Sequence, residues 1–198
     1  GDDIVVGTDF GNVIITGSGS DTIFAGGGSD IIASGLGADH IDLSESVQFR
    51  DTVILDEPSL DFGFDTIYGF EQGAIGDILG VSVILSGSAQ LFPLVLSGFA
   101  PVANFSDGIL RVVGSDLNSE SDLDMAFKSG GSLEPLSVSE GVQAFIVSAN
   151  SQETGEDQHV FSVSSSQSGE ISLTQLAVLQ GNALDIDQWH LDNFGFTA

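Results

Sequence analysis

Aspartate or asparagine recurs at Asp3, Asn12, Asp21, Asp30 and Asp39, a period of nine held through five registers. A period this short calls for a stack of identical turn-plus-strand units rather than a fold assembled from long elements. Two residues after each polar position stands an aliphatic one, Val5, Ile14, Ile23, Ile32 or Ile41. Before the last three come paired glycines, Gly17 and Gly19, Gly26 and Gly28, Gly35 and Gly37. The unit therefore reads Gly-x-Gly-x-Asp-x-aliphatic, most fully at residues 25–33. Glycine lets about six residues double back with φ > 0 and present their carbonyls, and about three residues then make a strand with one side chain inward.

Successive strands must alternate between two sheets, which puts Val5, Ile23 and Ile41 on one and Ile14 and Ile32 on the other. Residues two units apart become vertical neighbours. Asp3/Asp21, Asp21/Asp39 and Asn12/Asp30 then converge in pairs between stacked turns, where carboxylates and carbonyls suit Ca²⁺, a hard cation taking roughly 6 to 8 oxygens. Thr8 and Phe10 replace glycines in the second unit, so the Asn12/Asp30 pair is expected to be weaker or completed by Asp9. Asp21 belongs to two pairs and Asp30 to one, so Asp21 is expected to matter more.

Charge points the same way. Three Lys+Arg against 29 Asp+Glu leave a net charge of −26 over 198 residues, too few cations to grip a phosphate backbone. Nucleic acid and anionic lipid are excluded as partners on that ground. With 41% hydrophobic and only 16% charged residues the chain is not a disordered acidic tail. Cysteine is absent, so neither disulfides nor zinc thiolates hold it together. No apolar stretch approaches the ~18 residues of a membrane span, so no membrane insertion is expected.

The nonapeptide resembles the RTX, or haemolysin-type, calcium-binding repeat. That resemblance implies a parallel β-roll with Ca²⁺ in its turns, held by Asp21, Asp30 and Asp39 with their glycines. The chain opens inside a repeat, without Met, and is expected to be cut from a longer protein.

After Asp39 the nine-residue period stops. Asp42 to Phe49 reads as a longer strand with Leu43 and Val47 as its apolar positions, followed by strand-like Asp51 to Leu55 and Asp65 to Phe70. The run from Asp65 through Glu71-Gln72-Gly73 to Asp77-Ile78-Leu79 is similar to the segment following RTX repeats in serralysin proteases and alginate epimerase R-modules. On that likeness Asp65 and Asp77 are further candidate ligands, although Gly69 stands where the family has another aspartate.

From Ala100 onward serine-rich alternation predicts antiparallel strands at Ile109 to Val113, Leu123/Met125/Phe127, Val142 to Ala149, Val160 to Val163 and Ile171 to Leu173, with hairpin loops at Gly130-Gly131-Ser132 and Ser151 to Asp157. Thr174 to Leu179 is compatible with a helical turn or a strand. The stretch from Glu170 to Phe194 resembles the C-terminal export region of RTX proteins, which implies type I secretion machinery as a partner. The strands after the repeats would cover the roll's open edge and bury Trp189.

No Gly-x-Ser-x-Gly elbow, phosphate loop, dinucleotide fingerprint or His-Glu-x-x-His occurs, and His40, His159 and His190 are scattered, so no enzyme is expected. The reading is an all-β chain, a parallel roll over residues 1–47, capping strands over 48–99, and a mainly antiparallel C-terminal region over 100–198 that carries the secretion signal. Its function is Ca²⁺-triggered folding and export of a larger secreted bacterial protein. The alternatives are a calcium-dependent carbohydrate-binding accessory module, its polysaccharide bridged by Ca²⁺ because only Arg50, Arg111 and Lys128 are cationic, or a module anchoring to a cell surface.

Overall fold

All six repeat glycines adopt positive φ, from 88° at Gly35 to 145° at Gly37. The computed structural model describes residues 1–55, 63–81, 90–91, 95–96, 108–113, 117, 119–127, 143–149, 153–165, 171–181 and 184–196. The glycine turns separate β1 (Ile4–Thr8), β2 (Val13–Ser18), β3 (Thr22–Gly26), β4 (Ile31–Leu36) and β5 (His40–Asp42). Odd strands stack parallel in one sheet and even strands in the other, in the register Val5↔Ile23↔Ile41 and Ile14↔Ile32 that the sequence predicts. The inward aliphatic side chains of β2 to β5 are buried, and Val5, on the outermost rung, is half-buried.

Close stacking makes two glycines unequal. A Cβ on Gly35 would lie 1.9 Å from the Gly17 carbonyl oxygen, whereas Gly17, with nothing stacked beyond it, has nothing within 4 Å of that position. Both have positive φ, which costs an L-residue about 1–2 kcal/mol. Gly17→Ala should therefore lower the calcium-saturated melting temperature modestly, and Gly35→Ala by at least twice as much. Equal losses would show that the turns do not approach this closely.

The roll continues beyond the nonapeptides through β6 (Thr52–Leu55), β7 (Asp65–Tyr68) and β8 (Ile78–Val81). β6 and β8 extend the even sheet and β7 extends the odd one. The longer strand expected from Asp42 to Phe49 is not formed. β5 ends at Asp42, whose carboxylate accepts the Ser44 N–H at 2.9 Å in an aspartate turn. Leu43 keeps an inward place, but Val47 and Phe49 are exposed.

Short pieces β9 (Gln90–Leu91) and β10 (Val95–Leu96) lead to β11 (Gly108–Val113), α1 (Glu120–Phe127), β12 (Gln143–Ala149), β13 (Gln158–Ser165), β14 (Ile171–Gln180) and β15 (Phe194–Phe196). β12, β13 and β14 are antiparallel, as the alternation predicts. Val142 and Gly130-Gly131-Ser132 lie outside the described residues, as do the first two residues of the loop expected at Ser151 to Asp157. Thr174 to Leu179 is strand.

Leu123, Met125 and Phe127 do not form a strand but belong to α1. Ser119 caps this helix through its hydroxyl and the Asp122 N–H, its carbonyl accepts the Leu123 N–H, and its hydroxyl also donates to the Asp122 carboxylate. The buried face is Leu123 and Ala126, one helical turn apart, and Met125 points to solvent. Ile109 to Val113, expected to be antiparallel, is instead parallel to β12, because a helix between β11 and β12 makes the connection a crossover.

The last strands return to the roll. β14 pairs parallel with β7, placing Leu179 beside Ile67, and β15 pairs parallel with β8, placing Phe194 beside Leu79. Each sheet thus gains a further rung, and strand pairing crosses the divisions at residues 47 and 99. Trp189 is buried between Phe70 and Phe194, with ring centroids 5.5 and 5.0 Å away, and its Nε1 donates to Gln158 Oε1 at 2.5 Å.

Candidate metal centre

Where the chain passes between sheets, the aspartates build one ladder along each edge of the roll. On the first edge, the N–H groups of Asp3, Asp21 and Asp39 donate to Oδ1 of Asp21, Asp39 and Asp65 at 2.7, 2.8 and 3.1 Å. On the second edge, those of Asn12, Asp30 and Asp51 donate to Oδ1 of Asp30, Asp51 and Asp77 at 2.6, 2.8 and 2.9 Å. In both ladders, up to the last aspartate, the carbonyl accepts from the residue after the next aspartate, for example Thr22 N to Asp3 O at 2.8 Å. The aspartate thus ends one turn and clamps the one stacked upon it.

One oxygen of each carboxylate is used in this way. The other, Oδ2, is buried without a hydrogen-bond partner in Asp21, Asp30 and Asp39, all of which are at most 2% exposed. An ionised oxygen removed from water and left unpartnered is costly unless a cation meets it. Burial pushes the Asp30 and Asp39 carboxyls up, and it pushes Asp51 to about 7 and Asp77 to about 6, reinforced by neighbouring carboxylates. Among the described residues no three carboxylate or imidazole side chains close on one point. An ion here would take backbone carbonyls from the glycine turns as well, as Ca²⁺ readily does. The donor set is all oxygen and anionic, which fits that ion.

Asp3 clamps onto Asp21 but is itself exposed at the open end of the roll. The Asn12 side chain turns into its own loop, where Oδ1 accepts from the Thr8 N–H at 2.8 Å, and Asp9 is exposed. Asp65 Oδ2 accepts from the Ser34 hydroxyl at 3.2 Å, and Asp77 Oδ2 from the Glu71 N–H at 2.8 Å, so both join the ladders without an unpartnered oxygen. Gly17, Gly19, Gly26, Gly28, Gly35 and Gly37 all lie in or beside the turns between the aspartates.

Sequence reasoning missed Asp51. It gives Asp30 a second stacked neighbour, which removes the expected advantage of Asp21 over Asp30. The signal was present, since Asp51-Thr52-Val53 repeats the Asp-x-aliphatic unit, but Asp51 stands twelve residues after Asp39 (51 − 39) rather than nine. Of the histidines, His40 packs on Tyr68 at 4.7 Å and His190 pairs with Asp192 at 3.2 Å. His159 is held below its ordinary pKa by burial.

A family model described as the RTX calcium-binding nonapeptide repeat matches residues 6–41, in four copies. No curated protein and no solved structure matches the chain.

Proposed function

Because residues 6–41 are RTX calcium-binding nonapeptide repeats, we propose that the chain is a calcium-triggered folding module that supports type I export of a larger extracellular protein. The observation that carries this reading is the set of buried, unpartnered Oδ2 atoms on Asp21, Asp30 and Asp39. They make the folded roll depend on a cation. Where calcium is scarce the carboxylates repel and the chain stays open for transport. Outside the cell, where extracellular modules bind Ca²⁺ at roughly 10⁻⁴ to 10⁻³ M, it closes.

Calcium is the cofactor, and the work done is structural rather than catalytic. The partner is type I secretion machinery acting on the C-terminal residues. The absence of cysteine is consistent with a chain that folds without disulfides.

Two measurements test the two halves. Calorimetric titration of the metal-free chain should show calcium heats that coincide with the gain of β signal in circular dichroism; a chain that takes up no calcium overturns the folding half. A reporter fused ahead of the chain should reach the medium through a type I exporter, and deletion of residues 171–198 should abolish its release. Undiminished release after that deletion overturns the export half.

A further inference from the structure

The two sheets of the roll turn different faces to solvent. On the odd sheet the outward row Val6, Phe24, Asp42 and Tyr68 holds a carboxylate, and His40 packs on Tyr68 beside it. On the even sheet the outward positions of β2, β4, β6 and β8 carry no charged side chain. Val13 lies in register with Ile31 and Ile15 with Ala33, and Ile54 and Ile78 continue the two rows. Val13 and Ile15 are 70% and 75% exposed, and Ile31 is 46% exposed.

The inward residues between them, Ile14 and Ile32, already fill the core, so β2 and β4 are apolar on both faces. Continuous apolar runs of this kind belong to parallel sheets covered on both sides. Charge narrows what can cover this one. At a net charge of −26 the acidic surfaces of two such chains repel each other, whereas the uncharged rows offer no repulsion. Spacing narrows it further. Rungs stand about 4.8 Å apart and outward side chains of one strand about 7 Å apart, and a surface with the same two spacings interlocks with them along its whole length. A second copy has that surface. Ile15 stands beside the small Ala33, so a two-fold axis can set Ile15 of each copy over Ala33 of the other.

We propose that the outer face of the even sheet is a dimer surface, on which a second copy of this chain packs sheet against sheet through Val13, Ile15 and Ile31. Four rungs two side chains wide make a patch of roughly 300–400 Å², about half of the roughly 800 Å² per partner in a standard interface. The dimer is therefore weak, with Kd on the order of 10⁻⁴ M. The same patch serves both partners, so association closes at two. This goes beyond calcium-triggered folding and does not depend on it, since the face belongs to the folded roll whatever holds the roll together.

Sedimentation equilibrium on the full chain tests it, in saturating calcium and at protein concentrations from about 10 µM to about 1 mM. The mean mass should climb from that of the monomer toward twice that value and no further, and added salt should strengthen the association by screening the acidic surfaces. Ile15→Asp and Val6→Asp are matched variants, each placing one carboxylate at an outward position of the first strand of its sheet. Ile15→Asp should weaken the dimer at least about tenfold, and Val6→Asp, on the opposite face, should leave it unchanged.

A wild type that stays monomeric over the whole range overturns the proposal, and so do equal effects of the two variants. Association that weakens with salt marks calcium bridging acidic surfaces, and growth beyond the dimer marks stacking through open strand edges; either result overturns it as well. Should Ile15→Asp fail to fold, as its melting curve would show, Ile15→Thr decides. Threonine keeps the β-branched shape and adds no charge, it must still weaken the dimer, and unchanged association overturns the assignment.

Discussion

In excess chelator at about pH 8 the chain should lose cooperative melting, and added calcium should restore β structure and shift Trp189 emission to the blue in one sigmoidal transition. The tryptophan lies far from the repeat aspartates in sequence, yet the structure ties it to the roll. Trp189 packs on Phe70, which opens the second-edge loop over residues 69–77, and on Phe194, which lies in the rung beside β8. Asn193, fully buried, donates through Nδ2 to the carbonyls of Asp77 at 2.8 Å and Gly73 at 3.0 Å, so the segment carrying Trp189 is latched to the loop that ends in a ladder aspartate. Loosening that loop uncovers the indole. An emission maximum that stays fixed while circular dichroism reports folding would mean that the C-terminal segment holds its structure without the roll.

Acid should act on the metal-free and calcium-loaded chains in opposite directions. Asp51 and Asp77 are raised to about 7 and about 6 by burial, and Asp30 and Asp39 are raised as well. A carboxyl whose folded pKa lies above its unfolded value binds more protons in the folded state. Its stabilisation is fully present below the unfolded value near 4 and is lost as pH rises through the folded one, here from about 4 to about 7. In chelator the cooperative melting absent at about pH 8 should therefore return on acidification to about pH 5. Calcium requires the ionised carboxylates, so its stabilising increment should be largest at about pH 8 and shrink at about pH 5, where protons compete. A chelated chain that still lacks cooperative melting at the acid end would show that these buried oxygens are not what limits the metal-free fold.

The first five strands were legible because one residue type repeats at one spacing. Asp21, Asp30 and Asp39 with their glycines fix both the turn and the phase of Ile23, Ile32 and Ile41. The same unit persists at Asp51-x-Val53, Asp65-x-Ile67 and Asp77-x-Leu79, but loops of changed length break the period, and only the stacking of β6 on β4 and β7 on β5 shows that the phase is kept. The place of Glu45 was unreadable for the same reason, since its carboxylate meets the Gly28 N–H by folding back and not by spacing. At α1 two periods compete in one short segment. Leu123, Met125 and Phe127 alternate like a strand, whereas the Ser119-x-x-Asp122 cap and the Leu123/Ala126 face belong to a helix, and burial sides with the helix. Nothing in the local sequence of Ile171 to Gln180 says that its neighbour is β7, because that pairing is chosen by the fit of Leu179 against Ile67 on an otherwise open edge.

That pairing sets two clocks within one fold. Rungs among the repeats join residues 18 apart, short loops whose closure is fast and whose order can propagate from one neighbour to the next. The rung made by β14 joins Ala177 to Asp65, a separation of 112 (177 − 65), and that of β15 joins Phe194 to Leu79, a separation of 115 (194 − 79). Because the entropy of closing a loop grows only as the logarithm of its length, the intervening chain adds little to the equilibrium cost of these contacts, but search through so long a tether delays them. The repeats can zip from local encounters, and the end that protects them arrives last, so the interval between the two events is when the edges of β7 and β8 are open to another chain.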